Sequence, residues 1–146
     1  MDFAELRRQH DEISETAKRI AVIITQSSQP VGVSQLRWQL ARQLMTHLAL
    51  EDRFLYPAMQ HCPDRKARET ASNLQAETGQ LAESFSHYMS SWNEDRMIRE
   101  WPAFCTETRA VLDALADRVT RENRMLYPLA EQMAQQDHPV SALRAG

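Results

Sequence analysis

Three glycines in 146 residues leave almost no turn material. An all-β fold, which needs many tight turns, is excluded on that ground. The two cysteines, Cys62 and Cys105, stand alone without CxxC spacing. Neither a disulfide framework nor a zinc-finger site is spelled out, and a reduced, cytoplasmic protein with packing thiols is the expectation. No apolar stretch approaches the roughly 20 residues that span a bilayer, so no membrane partner is expected. There is also no excess of one charge: 17 basic residues against 20 acidic ones, interspersed, give −3. That argues against a nucleic-acid footprint. Residues Met1–Glu5 carry neither a basic n-region nor an apolar h-region, so no signal peptide is expected. No phosphate-cradling glycine loop and no Ser-His-Asp arrangement can be picked out, and an enzyme is the least favoured class.

What remains is rich in Ala, Leu, Arg, Gln and Glu, all good helix formers. Asp2 with Glu5 reads as a capping box for a first helix ending near Ser27. Residues 27–32 connect it to a second helix, capped by Ser34 and running toward His61. Cys62-Pro63-Asp64 punctuates, with Pro63 in the first turn of a third helix that reaches about Trp92. Residues 93–100 form a connection, and Pro102 opens a fourth helix lasting to about Gln136, before a tail at His138-Pro139. Four long helices with short loops predict an all-α, up-down-up-down antiparallel four-helix bundle. The whole chain, 1–146, reads as one domain with its core over about 2–137.

Spacing of three and four residues marks the inward faces. The first helix offers Phe3, Leu6, His10, Ile13, Ala17, Ile20 and Ile24, the second Leu36, Leu40, Leu44, His47, Glu51 and Phe54. The third offers Ala67, Ala71, Leu74, Thr78, Leu81, Phe85, Tyr88 and Trp92. The fourth offers Phe104, Thr108, Val111, Leu115, Arg118, Glu122, Met125, Leu129 and Met133. Apart from Thr108 nearer one end, the polar exceptions are His10, His47, Glu51, Thr78, Arg118 and Glu122. They occur on all four helices, and in an antiparallel bundle they fall at comparable depth. Buried polar groups destabilise unless partnered, so a connected cluster is expected. His61, His87 and His138 fall off the stripe and read as exposed. Met45, Met125 and Met133 read as core filler. Trp38, Trp92 and Trp101 mark a core end or an apolar contact surface, and a protein partner or homodimer stays open.

The second and fourth helices repeat one phrase. Glu51-Asp52-Arg53-Phe54-Leu55-Tyr56-Pro57 matches Glu122-Asn123-Arg124-Met125-Leu126-Tyr127-Pro128 at Glu, Arg, Leu, Tyr and Pro. The repeat marks two related helix pairs. It aligns His47, four before Glu51, with Arg118, four before Glu122, and His10 with the third-helix position Thr78. Pro57 and Pro128 predict a kink or helix end by freeing the carbonyls of Arg53 and Arg124.

His47-x-x-x-Glu51 followed by Leu55-Tyr56-Pro57, with Gln9-His10-Asp11-Glu12 upstream, resembles the first half of a hemerythrin-like (HHE cation-binding) domain. The resemblance covers about residues 2–137. It implies a hemerythrin-like bundle with a non-heme di-iron site, ligated by histidines from each helix and by two bridging carboxylates. Carried over, it implies His10, His47, Glu51 and Glu122 as metal ligands. The second half departs from the pattern, with Glu77-Thr78 in place of a Glu-His pair and Arg118 in place of the second His-x-x-x-Glu histidine. In the family the two lost histidines serve one metal and the retained pair the other.

One nearly complete ligand set therefore survives, and mixed nitrogen and oxygen donors suit Fe, Zn or Mn. Arg118, expected to face Glu51 across the bundle, could replace part of the missing cation's charge. Tyr56 and Tyr127 read as outer hydrogen-bond donors or as packing residues. Two readings stand beside each other: a mononuclear site serving a cation-binding or sensing protein (iron, oxygen or nitric oxide related), and a metal-free Arg-Glu-His network in an interaction or regulatory module. A di-iron redox protein ranks third.

Overall fold

Asp2 accepts the Glu5 N–H at 3.1 Å and opens α1 (Phe3–Gln26). The Glu5 carboxylate turns to Arg8 instead of closing the capping box. This computed structural model describes residues 2–135, so the expected helix end near Gln136 and the His138-Pro139 tail lie outside the described residues. α2 (Val33–Leu50) starts from Gly32, not from a Ser34 cap. Gly32 adopts φ +80°, a left-handed conformation natural only to glycine, and turns the chain directly into the helix, so Ser34 already lies in the first turn. α2 passes through a π-helical turn (Glu51–Leu55) into α3 (Tyr56–Gln60).

α4 (Arg65–Ser91) is capped by Asp64, which accepts the Lys66 N–H at 3.0 Å; Pro63 precedes the cap instead of entering the helix. The expected connection at 93–100 is itself partly helical. Asn93 caps α5 (Glu94–Arg99) through the Arg96 N–H at 2.8 Å, and Met97 anchors it in the core. α6 (Trp101–Arg121), with Pro102 in its first turn, continues through a second π turn (Glu122–Leu126) into α7 (residues 127–135). Among the described residues there is no strand, and no helix is long and apolar enough to cross a membrane.

Each long helix crosses two apolar clusters with a polar layer between them. Going along the first helix the order is Leu6, His10, Ile13; along the third, Leu74, Thr78, Phe85. Leu6 and Leu74 belong to one cluster, Ile13 and Phe85 to the other. Along the second helix the order reverses to Leu44, His47, Glu51, Leu55, and along the fourth to Leu115, Arg118, Glu122, Leu126. That alternation is the up-down-up-down arrangement of an all-α bundle.

The π turns correct the inward stripe. A straight α-helix from Glu51 would bury Phe54, and one from Glu122 would bury Met125, as expected above. Instead Tyr56 N–H bonds the Glu51 carbonyl and Tyr127 N–H bonds the Glu122 carbonyl, five residues back, so each turn holds one extra residue. The register slips by one. Leu55, Tyr56, Leu126 and Tyr127 are buried, while Phe54 and Met125 are 48 % and 51 % exposed. Pro57 and Pro128 follow directly, and the helices run on past them. Met45 is exposed as well, and Leu112 takes the buried place expected of Val111. Met133 packs against the core. Trp92 is buried, Trp101 stacks on Phe104, and Trp38 is exposed.

Candidate metal centre

The polar layer comes together as one buried cluster. His10, His47, Glu51 and Glu122 are each at most 2 % exposed, and one donor atom from each lies within 4.8 Å of the others. A histidine and a glutamate four apart share a helix face, which is why His47 Nε2 and Glu51 Oε2 are 3.2 Å apart. Glu122 Oε1 lies 2.7 Å from His10 Nε2 and 3.2 Å from His47 Nε2.

Both imidazoles are held from behind. His10 Nδ1–H donates to Asn123 Oδ1 at 2.8 Å, and His47 Nδ1–H donates to Gln9 Oε1 at 2.8 Å. Amide oxygens only accept, so each ring keeps its proton on Nδ1 and presents Nε2 to the centre, the arrangement of metal-bound histidine. Sequence reasoning passed over both amides. Gln9 sits beside His10 in the quoted phrase, and Asn123 is where the repeat replaces Asp52; that substitution was the available signal.

Arg118 has a different neighbourhood from the one expected. Its Nε–H donates to Glu122 Oε2 at 2.8 Å, and Nη2 donates to the Tyr56 hydroxyl at 2.7 Å and to the Leu74 carbonyl at 2.8 Å. It makes no hydrogen bond to Glu51, because the long side chain runs along its own helix and then turns toward α4. Tyr56 also lies 3.3 Å from Thr78 Oγ1, which donates to the Leu74 carbonyl. The internal repeat is thus visible in space: Tyr127 meets His10 and His47, and Tyr56 meets Thr78 and Arg118. His87 is exposed, hydrogen-bonded to Ser91, and takes no part. His61 is exposed too.

The charges interlock. Burial pushes Glu51 up to about 7, with the Glu122 charge adding to it and the His47 hydrogen bond opposing it. Burial also raises Glu122, but hydrogen bonds from His10 and His47 and the Arg118 charge win and hold it well below the usual carboxylate range. For His47, burial disfavours the imidazolium, yet hydrogen bonds to Glu122 and Glu51 outweigh it and push the ring up to about 9. Burial and the two carboxylate charges raise the Tyr127 phenol.

A cation fits this donor set. Two inward Nε2 atoms and two carboxylates bring one donor atom each within 4.8 Å of the others, and Glu51 Oε1 is buried with no hydrogen-bond partner. An unpartnered carboxylate oxygen in a core is strongly unfavourable unless a positive charge meets it.

A helical bundle with a central His/Glu cluster of this composition defines a class of cation-binding four-helix protein. The chain belongs to the hemerythrin family: the family profile, hemerythrin HHE cation binding domain, matches residues 1–130. No curated protein and no solved structure matches it significantly.

A second polar exception, Arg37, lies in the other apolar cluster. It donates to the Tyr88 hydroxyl and the Trp92 carbonyl, both at 3.1 Å, and stacks over Tyr88 and Phe104. The stripe Val33, Arg37, Leu40, Leu44 already placed it inward, a signal the sequence reading did not use.

Proposed function

We propose that the chain folds as one bundle domain whose central pocket binds a single transition-metal ion through His10, His47, Glu51 and Glu122. Arg118 stands where a second ion would, so the protein is a mononuclear cation-binding or sensing module related to iron, oxygen or nitric oxide. The observation that carries this reading is the pair of imidazoles fixed by Gln9 and Asn123 with both Nε2 atoms aimed at two carboxylates. Fe, Zn or Mn would each accept such donors. A bound ion would supply Lewis acidity and, as iron, affinity for a diatomic ligand. The protein's own part is to orient the imidazoles, exclude water and balance charge.

Glu122 is central to that balance. Its Oε1 serves the histidine side and its Oε2 serves Arg118, so the guanidinium occupies the far side of a carboxylate that would otherwise bridge two ions. Two-metal redox chemistry is disfavoured, since Thr78 and Arg118 offer the second position no imidazole.

A second reading has its own support. Arg118, Glu122, His47 and Tyr127 already form a nearly closed hydrogen-bond network, which suits a metal-free interaction or regulatory module. Elemental analysis after anaerobic loading with Fe(II), or with Zn(II), separates the two. About one ion per chain, lost in His47→Ala, is the expected result. Two ions per chain, or a trace amount under every loading condition, would overturn the mononuclear site.

A further inference from the structure

We propose that Tyr127 is a direct ligand, supplying its phenolic oxygen as a fifth donor to the ion held by His10, His47, Glu51 and Glu122; this rests on the mononuclear reading above. The hydroxyl oxygen stands amid the four donors. It is 3.2 Å from His10 Nε2, 3.2 Å from His47 Nε2, 3.1 Å from Glu122 Oε1 and 2.7 Å from Glu51 Oε2. One hydroxyl carries one proton and can donate to only one of these atoms at a time. An oxygen 2.7–3.2 Å from two imidazole nitrogens and two carboxylates stands where the donor atoms around one ion converge.

The ring is also fixed in place. Tyr127 is fully buried, stacks on His10 with centroids 5.2 Å apart at 19°, and has the Arg7 guanidinium over its ring, 5.6 Å from the centroid. Its position is a product of the π turn: with the extra residue, Tyr127 reaches the Glu122 side chain from five residues ahead, whereas a regular helix would carry it to another face.

Charge favours the same assignment. Glu51, Glu122 and Arg118 together sum to −1, so a divalent or trivalent ion leaves the buried pocket with excess positive charge. A phenolate removes one unit of it. On ligation the O–H bond breaks, the electron pair stays on oxygen and is donated to the ion, and the proton leaves to solvent; the cation reverses the local electrostatics that keep the phenol intact without it. Tyr56, the partner of Tyr127 in the repeat, makes no such contact with the histidines. It accepts from Arg118 Nη2 and lies against Thr78, so it is the internal control.

The test loads the full chain with ferric nitrilotriacetate, removes excess iron, and records metal content and visible absorption together. Ferric phenolates absorb in the visible through ligand-to-metal charge transfer, while iron bound only by imidazole and carboxylate lacks that band. The expected result is about one ferric ion per chain with a visible band, at least tenfold weaker per iron in Tyr127→Phe and unchanged in Tyr56→Phe. Should Tyr127→Phe not fold, resonance Raman of the Tyr56→Phe/Tyr88→Phe variant decides, because Tyr127 is then the only tyrosine of the three. Tyrosine ring modes enhanced in that variant support ligation, and their absence refutes it. A wild-type protein holding one ferric ion without the band, or a band that survives in Tyr127→Phe, overturns Tyr127 as ligand and leaves the mononuclear site standing. No iron uptake at all overturns both.

Discussion

Arg118 and Glu122, one helical turn apart, are joined by a 2.8 Å hydrogen bond from Nε to Oε2 at 7 % and 1 % exposure. Because that bond takes one carboxylate oxygen, only Oε1 is left for the histidine side of the pocket. On the mononuclear reading proposed above, position 118 sets how many ions Glu122 can serve. Removing the guanidinium would leave a buried carboxylate without its cation, which typically destabilises by about 3–5 kcal/mol. Arg118→Leu is expected to lower metal-free stability by that order, measured as a urea unfolding midpoint. A change under about 0.5 kcal/mol would mean that the pair contributes nothing.

Thr78→His combined with Arg118→His should raise the metal content from one ion per chain to two. The repeat places these positions opposite Tyr56 as His10 and His47 stand opposite Tyr127. Elemental analysis of the double variant, loaded anaerobically with Fe(II), reads this directly. Persistence at one ion per chain would show that the second half lacks more than its imidazoles.

Gln9→Leu and Asn123→Leu keep every proposed ligand but release one imidazole each from its amide acceptor. Loss of such an orienting hydrogen bond weakens metal binding by about 10–100-fold. Competition against a calibrated zinc chelator gives the affinity. An unchanged affinity in both variants would remove the two amides from the site.

Chelated protein should lose stability as pH rises from about 5 to 9. Burial lifts Glu51 from 4.5 to about 7, and its two carboxylate partners carry His47 from 6.5 to about 9 against the opposing effect of burial. Both groups hold a proton more tightly folded than unfolded, so each contribution is complete below the unfolded value and is lost as pH rises through the folded one. Glu51 acts between about 4.5 and 7, His47 between about 6.5 and 9. Glu122, held low, runs the other way and matters only in acid, where its contribution is lost as pH falls. A decline of several kcal/mol, roughly 3 for each group, is expected from urea unfolding, with the arm above pH 6.5 flattened in His47→Gln. Stability rising over this range would contradict the arrangement.

Chelated and loaded protein should also differ in thermal midpoint. An ion that binds only the folded state adds about 2.7 kcal/mol at a hundredfold excess over Kd. Differential scanning calorimetry with and without Zn(II) measures it, and identical midpoints would favour the metal-free network.

The helix class, the antiparallel order and the six polar core positions were all readable from spacing, because a helix repeats its buried face every three to four residues regardless of what it packs against. His10, His47, Glu51, Thr78, Arg118 and Glu122 are all buried where that periodicity put them. Phe54 and Met125 broke the pattern because a π turn changes the period locally. Its sign in the sequence, a proline after Leu-Tyr in both copies of the repeat, is equally compatible with a kink or a stop.

What the chain's order of residues determined alone is the bundle, the depth of its polar layer and the pairing of its two halves. Tertiary structure decided which atoms meet there: Arg118 on Glu122 instead of Glu51, amides behind both imidazoles, and a tyrosine hydroxyl among the four donors. The reason is one of scale. Periodicity specifies a face to within a side chain's width, whereas a bond to an ion or a proton depends on rotamers and a single-residue shift in register, which only packing among all four helices selects.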